Sequence, residues 1–261
     1  MRHIALAGKG SAGKSTLAPF LLETLKRQRA ATGRLLVVDA DPHGALTRLL
    51  GLAPRATLGQ LRSHYEREFR MGANIAVSPR SDGVGETRVA FAEDVMARES
   101  LTQTDGFDFL GLGRWEMPGS NCVPNRILEH ALAALAGQYD TLLMDNEAGL
   151  EHIGRFAAFP VDTLILVAQP DPLFVDVARQ ILDHAHEVGR QVRAVKWVFN
   201  RVLLEDRALV EADARALNFP LAAILPESAG LRALSRAGRS PLELPEMDEW
   251  RVALAGAHLT D

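Results

Sequence analysis

The residues with the clearest chemistry lie between positions 8 and 16, where glycines alternate with lysines and hydroxyl side chains. Gly8, Gly13, Lys14 and Ser15 fit the pattern G-x-x-x-x-G-K-S/T, which is expected between a strand and a helix. In this pattern, backbone N–H groups surround phosphate oxygens, the lysine bridges the outer phosphates and the serine hydroxyl binds Mg²⁺. We therefore predict that ATP and Mg²⁺ bind here. The predicted contacts are Gly8, Lys9, Gly10, Ser11, Ala12, Gly13, Lys14, Ser15 and Thr16.

Apolar strands alternate with amphipathic helices along the chain. The phosphate loop lies between a strand predicted at 4–7 and a helix predicted at 15–29. Further strands are predicted at 35–38, 107–112, 141–144, 163–168, 195–199 and 221–225, and further helices at 125–136, 173–188 and 207–217. This alternation predicts a doubly wound, mostly parallel α/β sheet with helices on both faces. Such sheets bind ligands at the carboxyl ends of their strands.

The chain has 261 residues, a length that suits one large α/β domain or two small ones. We predict a single ATPase domain over 1–261. The segment at about 51–104 is rich in Arg, Glu and Gly, and we expect a helical and irregular excursion from the sheet there.

A second lysine, Lys9, gives the loop the order Lys-Gly-x-x-Gly-Lys-Ser. This order resembles the loop of the deviant P-loop ATPases, which include the nitrogenase iron protein, septum-site and plasmid-partition ATPases, the arsenite pump ATPase and metallocofactor-assembly ATPases. The resemblance implies a homodimer in the ATP state, in which Lys9 reaches the phosphates bound by the other subunit. Lys9 would join Lys14 in catalysis and act as an arginine finger does, worth on the order of 10³–10⁵ in rate. A solvated surface lysine is the alternative.

Three aspartates follow predicted strands. Asp39 and Asp41 end the second strand in the order Asp-x-Asp-Pro, which resembles the switch I motif of the same ATPases. The resemblance implies that Asp39 positions the attacking water or lies in the Mg²⁺ shell, with Asp41 as its catalytic support. A polar strand end before a proline is the alternative. Asp145 ends the fourth strand like a Walker B aspartate and would hold Mg²⁺ through its water shell, beside Ser15 and Asp39.

The residues at 146–152 discriminate best among these ATPases. Their order Asn-Glu-Ala-Gly-Leu-Glu-His resembles the CooC-type accessory ATPases, which help to insert nickel into carbon monoxide dehydrogenase. The resemblance extends in motif order from Gly8 to Glu227. We interpret 146–152 as switch II, which senses the γ-phosphate and relays its loss to the dimer interface. Direct metal binding is the alternative, with Glu147, Glu151 and His152 as its candidates.

The adenine end of the site is predicted at the end of the strand at 195–199. In the resembling ATPases, the asparagine in the position of Asn200 bonds the adenine edge, a task that suits an amide because it is both donor and acceptor. Pro226 and Glu227 resemble the loop that closes over the base. We therefore predict nucleotide contacts from Asn200, Arg201, Pro226 and Glu227, with ordinary polar strand ends as the alternative.

The resemblance is incomplete at the metal loop. Nickel-insertion ATPases carry a Cys-x-Cys pair after the third strand, and two subunits together supply four thiolates for one metal ion. Here Cys122 stands alone, with Ser120 or Pro124 in the place of its partner. Two thiolates would need other donors to close a site, and they cannot hold the four-iron cluster of an iron protein. Cys122 is therefore either a Ni²⁺ or Zn²⁺ ligand on the dimer axis or a small buried apolar residue.

Composition narrows the remaining classes. The net charge of −4 does not suggest a nucleic-acid binder, and one cysteine cannot form an internal disulfide, which fits a reducing cytosol. The apolar run before Lys9 is too short for a signal peptide, and no run is long enough to span a bilayer. We expect a cytoplasmic protein without stable membrane association.

These observations favour an ATP-hydrolysing dimer that assists metallocofactor maturation. Its task would be nickel insertion into a client, carbon monoxide dehydrogenase or a related metalloenzyme. A partition or positioning ATPase is the alternative, against which stand the acidic charge and the sequence at 146–152. An electron-transfer ATPase is disfavoured by the cysteine count.

Overall fold

A mostly parallel β-sheet forms the centre of the computed structural model, which describes residues 1–28, 33–68, 95–114, 123–147, 160–187, 189, 191–216, 218–237, 239–244 and 248–257. The strands in these ranges are β1 (Arg2–Ala7), β2 (Leu35–Asp39), β3 (Thr102–Gln103), β4 (Asp108–Gly111), β5 (Thr141–Asp145), β6 (Val161–Ala168), β7 (Val192–Val202) and β8 (Leu221–Pro226). They lie in the order β3-β4-β2-β5-β1-β6-β7-β8, and every neighbouring pair is parallel except β3 with β4. The predicted doubly wound, mostly parallel sheet is confirmed.

Helices cover both faces of this sheet. They are α1 (Lys14–Arg27), α2 (Ala45–Leu49), α3 (Leu58–Glu68), α4 (Val123–Leu135), α5 (Pro172–Glu187), α6 (Arg207–Ala216), α7 (Ala229–Arg236) and α8 (Asp248–Gly256). α1 and α8 share a buried core with Ile4 and Leu6 of β1, whereas α5 and α6 pack with the intervening Ala5 and Ala7. Successive strand residues point to opposite faces, so these two helix pairs lie on opposite sides of the sheet.

The observed strand bounds differ from the predicted ones by up to two residues in most strands and by more in β7 and β3. β7 has 11 residues where 195–199 was predicted, because β6 pairs with it from its first residue onward. β3 was not predicted, since two residues carry no periodicity. It lies at the edge of the sheet within the predicted excursion at 51–104, whose described parts also contain α3 and a helical turn at 95–99.

The helix α8 packs back onto the main core. Trp250 is buried, its ring lies 5.2 Å from that of Phe20, and its indole Nε1 donates to the carbonyl oxygen of Pro226 at 3.3 Å. This helix therefore packs against the end of β8 and fixes it through the hydrogen bond to Pro226. Within the ranges given above, no helix has the length and apolar character required to cross a bilayer.

Candidate functional site

The carboxyl ends of adjacent strands bring the predicted catalytic residues together. β2, β5, β1 and β6 are neighbours, and their register pairs Asp39 with Asp145 and Asp145 with Leu6. The phosphate loop begins two residues after Leu6, so it leaves the sheet beside both aspartates. One edge of the sheet thus carries the loop between two carboxylates and the end of β6, as expected of a doubly wound sheet.

Two loop glycines allow this close packing. Gly8 has φ 149°, and a Cβ there would lie 2.3 Å from the carbonyl oxygen of Val167 in β6. Gly13, the residue before α1, has φ 104°, and a Cβ there would lie 2.1 Å from Nδ2 of Asn200. Both backbone conformations favour glycine, and both distances are far below van der Waals contact. The loop is therefore fitted against the ends of β6 and β7.

The ammonium of Lys14 turns back into the loop. Its Nζ donates to the carbonyl oxygens of Gly8 at 3.1 Å and Lys9 at 3.4 Å, and the residue is 7% exposed. Burial lowers the pKa of Lys14, and nearby carboxylates, chiefly Asp145, oppose this change. A phosphate group would offer a formal negative charge in place of two carbonyl dipoles, a stronger partner for an ammonium. The loop is thus built to receive an anion.

Asp39 is fully buried and held by α2. Its Oδ2 accepts hydrogen bonds from the backbone N–H of Thr47 at 2.9 Å and from the Thr47 hydroxyl at 2.8 Å. Its Oδ1 has a longer contact, 3.3 Å from the N–H of Asp41. Burial raises the pKa of Asp39, and these hydrogen bonds oppose the rise. Sequence reasoning missed Thr47, because it belongs to no motif.

Replacing Thr47 by valine should destabilise the protein by about 1.5–3 kcal/mol, the usual contribution of a hydrogen bond to a charged group. Urea unfolding would measure the loss. Thr47→Ser is the matched control, because serine keeps the hydroxyl and should lose much less. Equal stabilities of the valine and serine variants would show that the hydroxyl does not hold Asp39.

Asp145 is fully buried beside Asp39, and neither of its oxygens has a hydrogen bond of normal geometry within the described structure. Burial raises the pKa of Asp145 to about 7; the nearby Ser15 hydroxyl opposes the rise, and Asp39 adds to it. An unpartnered buried carboxylate is costly, so this position suits a site that a cation and its water shell complete. Ser15, Asp39 and Asp145 form an oxygen donor set of the kind that Mg²⁺ accepts together with phosphates and water.

Asp41 has different partners from Asp39. Its Oδ1 accepts the backbone N–H of His43 at 2.8 Å and lies 2.9 Å from Nδ1 of the same residue, whose side chain is exposed. The two carboxylates therefore point to different surroundings, because β2 ends at Asp39 and Asp41 lies in the turn that follows it. The role of Asp41 as a catalytic support stays a prediction.

A cavity of about 280 Å³ opens beside α1, at the ends of β7 and β8. Its lining residues are Thr16, Asn200, Arg201, Pro226, Glu227, Ser228, Leu231, Arg232, Arg236 and Trp250. The four residues predicted for the adenine end are all among them, and Thr16 joins the cavity to the phosphate loop. Arg232, which the sequence did not mark, pairs with Glu227 at 2.5 Å. The cavity thus lies where the base of a loop-bound nucleotide would fit.

Asn200 is buried between this cavity and the phosphate loop. Its Nδ2 donates to the carbonyl oxygen of Ala12 at 2.8 Å, and its Oδ1 accepts the N–H of Arg201 at 2.9 Å. Each end of the amide keeps one further position, an N–H donor and an oxygen lone pair, so Asn200 can hold the loop and contact an adenine edge at the same time. The amide links this cavity directly to the loop.

Two residues after β6, in the connection and at the start of α5, contact residues 9–11 of the phosphate loop. Gln169 donates from Nε2 to the carbonyl oxygen of Ser11 at 2.8 Å, and the Lys9 ammonium lies 4.4 Å from the centre of the Phe174 ring. Sequence reasoning found neither residue. The one available signal was that Gln169 is a polar residue directly after a predicted strand, as the other site residues are.

Comparison with known proteins agrees with this geometry. Residues 4–242 match the family model CbiA, described as the CobQ/CobB/MinD/ParA nucleotide binding domain. The chain belongs to this family. An uncharacterized ATP-binding protein of Methanocaldococcus jannaschii is 29% identical over 246 residues, which cover 94% of this chain and 92% of the relative. The carbon monoxide dehydrogenase accessory protein CooC of Rhodospirillum rubrum is 28% identical over 253 residues, which cover 92% of this chain and 89% of that protein.

The CbiA-family fold is also evident among solved structures. The septum site-determining protein MinD from Pyrococcus horikoshii OT3, complexed with Mg-ADP, aligns with a TM-score of 0.65 at 19% identity, covering 98% of this chain and 93% of that one. The predicted membership of the ParA/MinD-type P-loop ATPases, with CooC among the relatives, is confirmed. The chain is accordingly a nucleotide-binding ATPase.

Three of the residues predicted as candidate Ni²⁺ or Zn²⁺ ligands lie outside the described residues. They are Cys122, Glu151 and His152. Glu147 lies at the end of a described range, two residues after Asp145. In the part of the chain that the structure describes, no group of three or more His, Cys, Asp or Glu side chains could hold a metal ion. The Ni²⁺ or Zn²⁺ site stays a prediction.

Proposed function

We propose that this ATPase is a homodimeric accessory protein of metallocofactor maturation, and that it assists nickel insertion into carbon monoxide dehydrogenase or a related metalloenzyme. The observation that carries the proposal is the similarity to CooC over 92% of the chain. The single Cys122 supports it in part, because it lies after the predicted third strand, where the resembling ATPases carry their Cys-x-Cys pair.

The residues around the loop have complementary tasks in this proposal. Lys14 leaves its carbonyl partners for the β- and γ-phosphates, and Asn200 keeps the loop beside the base cavity. Ser15 and Asp145 hold Mg²⁺, which, when bound, neutralises charge on the phosphate oxygens. Asp39, fixed by Thr47, orients the attacking water with its less occupied Oδ1.

The position of Lys9 supports a second subunit at the site. Its ammonium lies over Phe174 and points away from the interior of its own loop, which Lys14 fills. A lysine so placed adds little to its own phosphates, and it would reach another chain by leaving the ring. ATP binding would then close the dimer around two nucleotides, and hydrolysis would open it.

A titration tests the metal part of the proposal. The reduced protein, with ATP and Mg²⁺, should bind Ni²⁺ or Zn²⁺ with a stoichiometry near one ion for each pair of chains, measured by calorimetry. Cys122→Ala should abolish this binding, because the chain has no other thiol. His152→Ala is the matched variant for the alternative ligands at 146–152, and it should bind as wild type does.

Other outcomes of the titration are equally informative. Binding that survives in Cys122→Ala but not in His152→Ala would place the ion at 146–152. If neither the wild-type protein nor the variants bind the ion above background, the ATPase does not carry the metal itself. Docking to the client would then be its role in maturation.

A partition or positioning ATPase is the second candidate. The family description names MinD and ParA, and this observation favours it. The net charge of −4 opposes contact with a polyanion. Turnover that rises with double-stranded DNA or anionic vesicles, in a protein that binds no Ni²⁺ or Zn²⁺, would favour this candidate over maturation.

A further inference from the structure

The end of β6, the start of α5 and the connection between them contact residues 8–11 of the phosphate loop at three points. The carbonyl oxygen of Val167 faces Gly8, the amide of Gln169 donates to the carbonyl oxygen of Ser11, and the ring of Phe174 receives the ammonium of Lys9. These contacts lie on the side of the loop opposite Asp39 and Asp145, which flank it from β2 and β5. These contacts therefore support residues 8–11 of the loop, which include Lys9, independently of the two aspartates.

This connection is well fixed. Asp171 lies between two prolines, accepts the N–H of Leu173 on its Oδ1 at 2.9 Å, and accepts the N–H of Phe174 on its carbonyl oxygen at 3.0 Å. Phe174 itself is half-buried and packs against the cores on both faces of the sheet. The ring is thus presented to the loop from a rigid helix start and cannot follow Lys9 if the lysine moves.

The contact between Lys9 and Phe174 has the geometry of a cation–π interaction. Within the described structure, the Lys9 ammonium has no ion pair or side-chain hydrogen bond, and the ring is the contact that holds it. Such a contact at a partly exposed site favours the bound lysine by about two- to fivefold. Lys9 cannot keep this contact and also reach the phosphates of another chain.

Lys14 adds a second hold on the same residue. Its Nζ donates to the carbonyl oxygen of Lys9 at 3.4 Å and to that of Gly8 at 3.1 Å. A phosphate in the loop takes Lys14 away from both carbonyls. The Lys9 carbonyl oxygen also accepts the N–H of Ala12 at 3.1 Å, and Gln169 fixes the loop backbone at Ser11. After ATP has bound, the backbone of Lys9 therefore stays in place, and the ring of Phe174 is the contact that holds its side chain.

We propose that Phe174 is a positioning residue that keeps Lys9 in its own subunit until a second ATP-bound copy takes it up. The proposal rests on the proposed function, in which Lys9 crosses between subunits. Closing the dimer breaks two such contacts, one in each chain. The contacts therefore raise the protein concentration needed for ATP turnover, and they restrain hydrolysis in chains that have not met a partner.

The test compares Phe174→Leu with Phe174→Tyr. Leucine keeps the apolar packing but removes the ring, so the protein concentration at half-maximal ATP turnover should fall about 4- to 25-fold, the square of the single-contact factor. Tyrosine keeps the ring face and should return this concentration to near the wild-type value. A residue that only packs would give the opposite sign, because lost packing weakens the dimer. An unchanged or raised midpoint in Phe174→Leu would overturn the proposal.

Lys9→Ala separates this inference from the proposed function. In the Lys9→Ala background, Phe174→Leu should not shift dimerisation measured by sedimentation with a non-hydrolysable ATP analogue, because the alanine has no contact to give up. A shift of the same size in both backgrounds would show that Phe174 acts without Lys9, which contradicts the inference. If Lys9→Ala alone leaves turnover unchanged, the crossing lysine itself fails. If Lys9→Ala lowers turnover and Phe174→Leu does not move the midpoint, only this inference is wrong.

Discussion

Replacing Lys9 by alanine should leave ATP affinity close to wild type and lower the rate of hydrolysis by roughly 10³–10⁵, the effect of removing an arginine finger. The reason lies in the position of the side chain. Its ammonium rests 4.4 Å from the Phe174 ring, whereas Lys14 occupies the interior of the loop. In the proposed dimer, Lys9 would supply charge to the site of the partner subunit. Calorimetry would measure ATP affinity, and single-turnover assays would measure hydrolysis.

Lys14→Ala is the matched contrast, because it removes the other lysine of the same loop and should abolish ATP binding itself. Mixing the two inactive variants sharpens the experiment. If one bound ATP is enough to close a mixed dimer, the Lys14→Ala chain supplies Lys9 to the intact site of the Lys9→Ala chain and turnover reappears on mixing; if closure needs two nucleotides, the mixture stays inactive. Turnover of Lys9→Ala at the wild-type level would rule out a crossing lysine.

The fold was predictable because its signals are local. Continuous apolar strands, helical spacing after the phosphate loop and polar residues at strand ends each occur within a few neighbouring positions. The predicted limits of β7 were wrong because the length of the strand is set by its pairing with β6. Each paired residue of β6 lies 31 positions earlier in the sequence. β3 escaped prediction because its two residues form a strand only through their pairing with β4.

In the candidate site, too, the features that depend on local sequence were predicted and those that depend on distant contacts were not. Parallel strands end at one edge, so Asp39, Asp145 and the loop were expected together, and the register places them there. The contacts that hold the loop depend on packing between distant segments: Gln169 is 158 residues from Ser11, and Asn200 is 188 residues from Ala12. No sequence pattern specifies which carbonyl an amide will meet. For this reason Asn200 was expected at the base, while its bond to the loop was not.

Replacing Asp145 by asparagine should change activity and stability in opposite directions. Asparagine has nearly the same shape but no charge, so Mg²⁺-dependent hydrolysis should fall by on the order of 10²–10³, because a bound metal supplies several kcal/mol of charge stabilisation. Without nucleotide, the free energy of unfolding should rise by about 1–3 kcal/mol, because the substitution removes a buried carboxylate without a hydrogen-bond partner. Urea unfolding and steady-state turnover at varied Mg²⁺ would measure the two effects.

Asp162→Asn is the control for this experiment, since it makes the same change at the opposite end of the sheet. Asp162 accepts the N–H of His3 at 2.8 Å and pairs with Arg193 at 2.6 Å, so its carboxylate is satisfied. Asparagine there should lower stability and leave hydrolysis unchanged. A loss of stability in both variants would mean that Asp145 is held by partners and does not await a cation. If the free energy of unfolding rises in Asp145→Asn and falls in Asp162→Asn, the site keeps Asp145 unpaired at the expense of stability. The reason would be that a carboxylate already satisfied by protein donors could not hold the water shell of Mg²⁺.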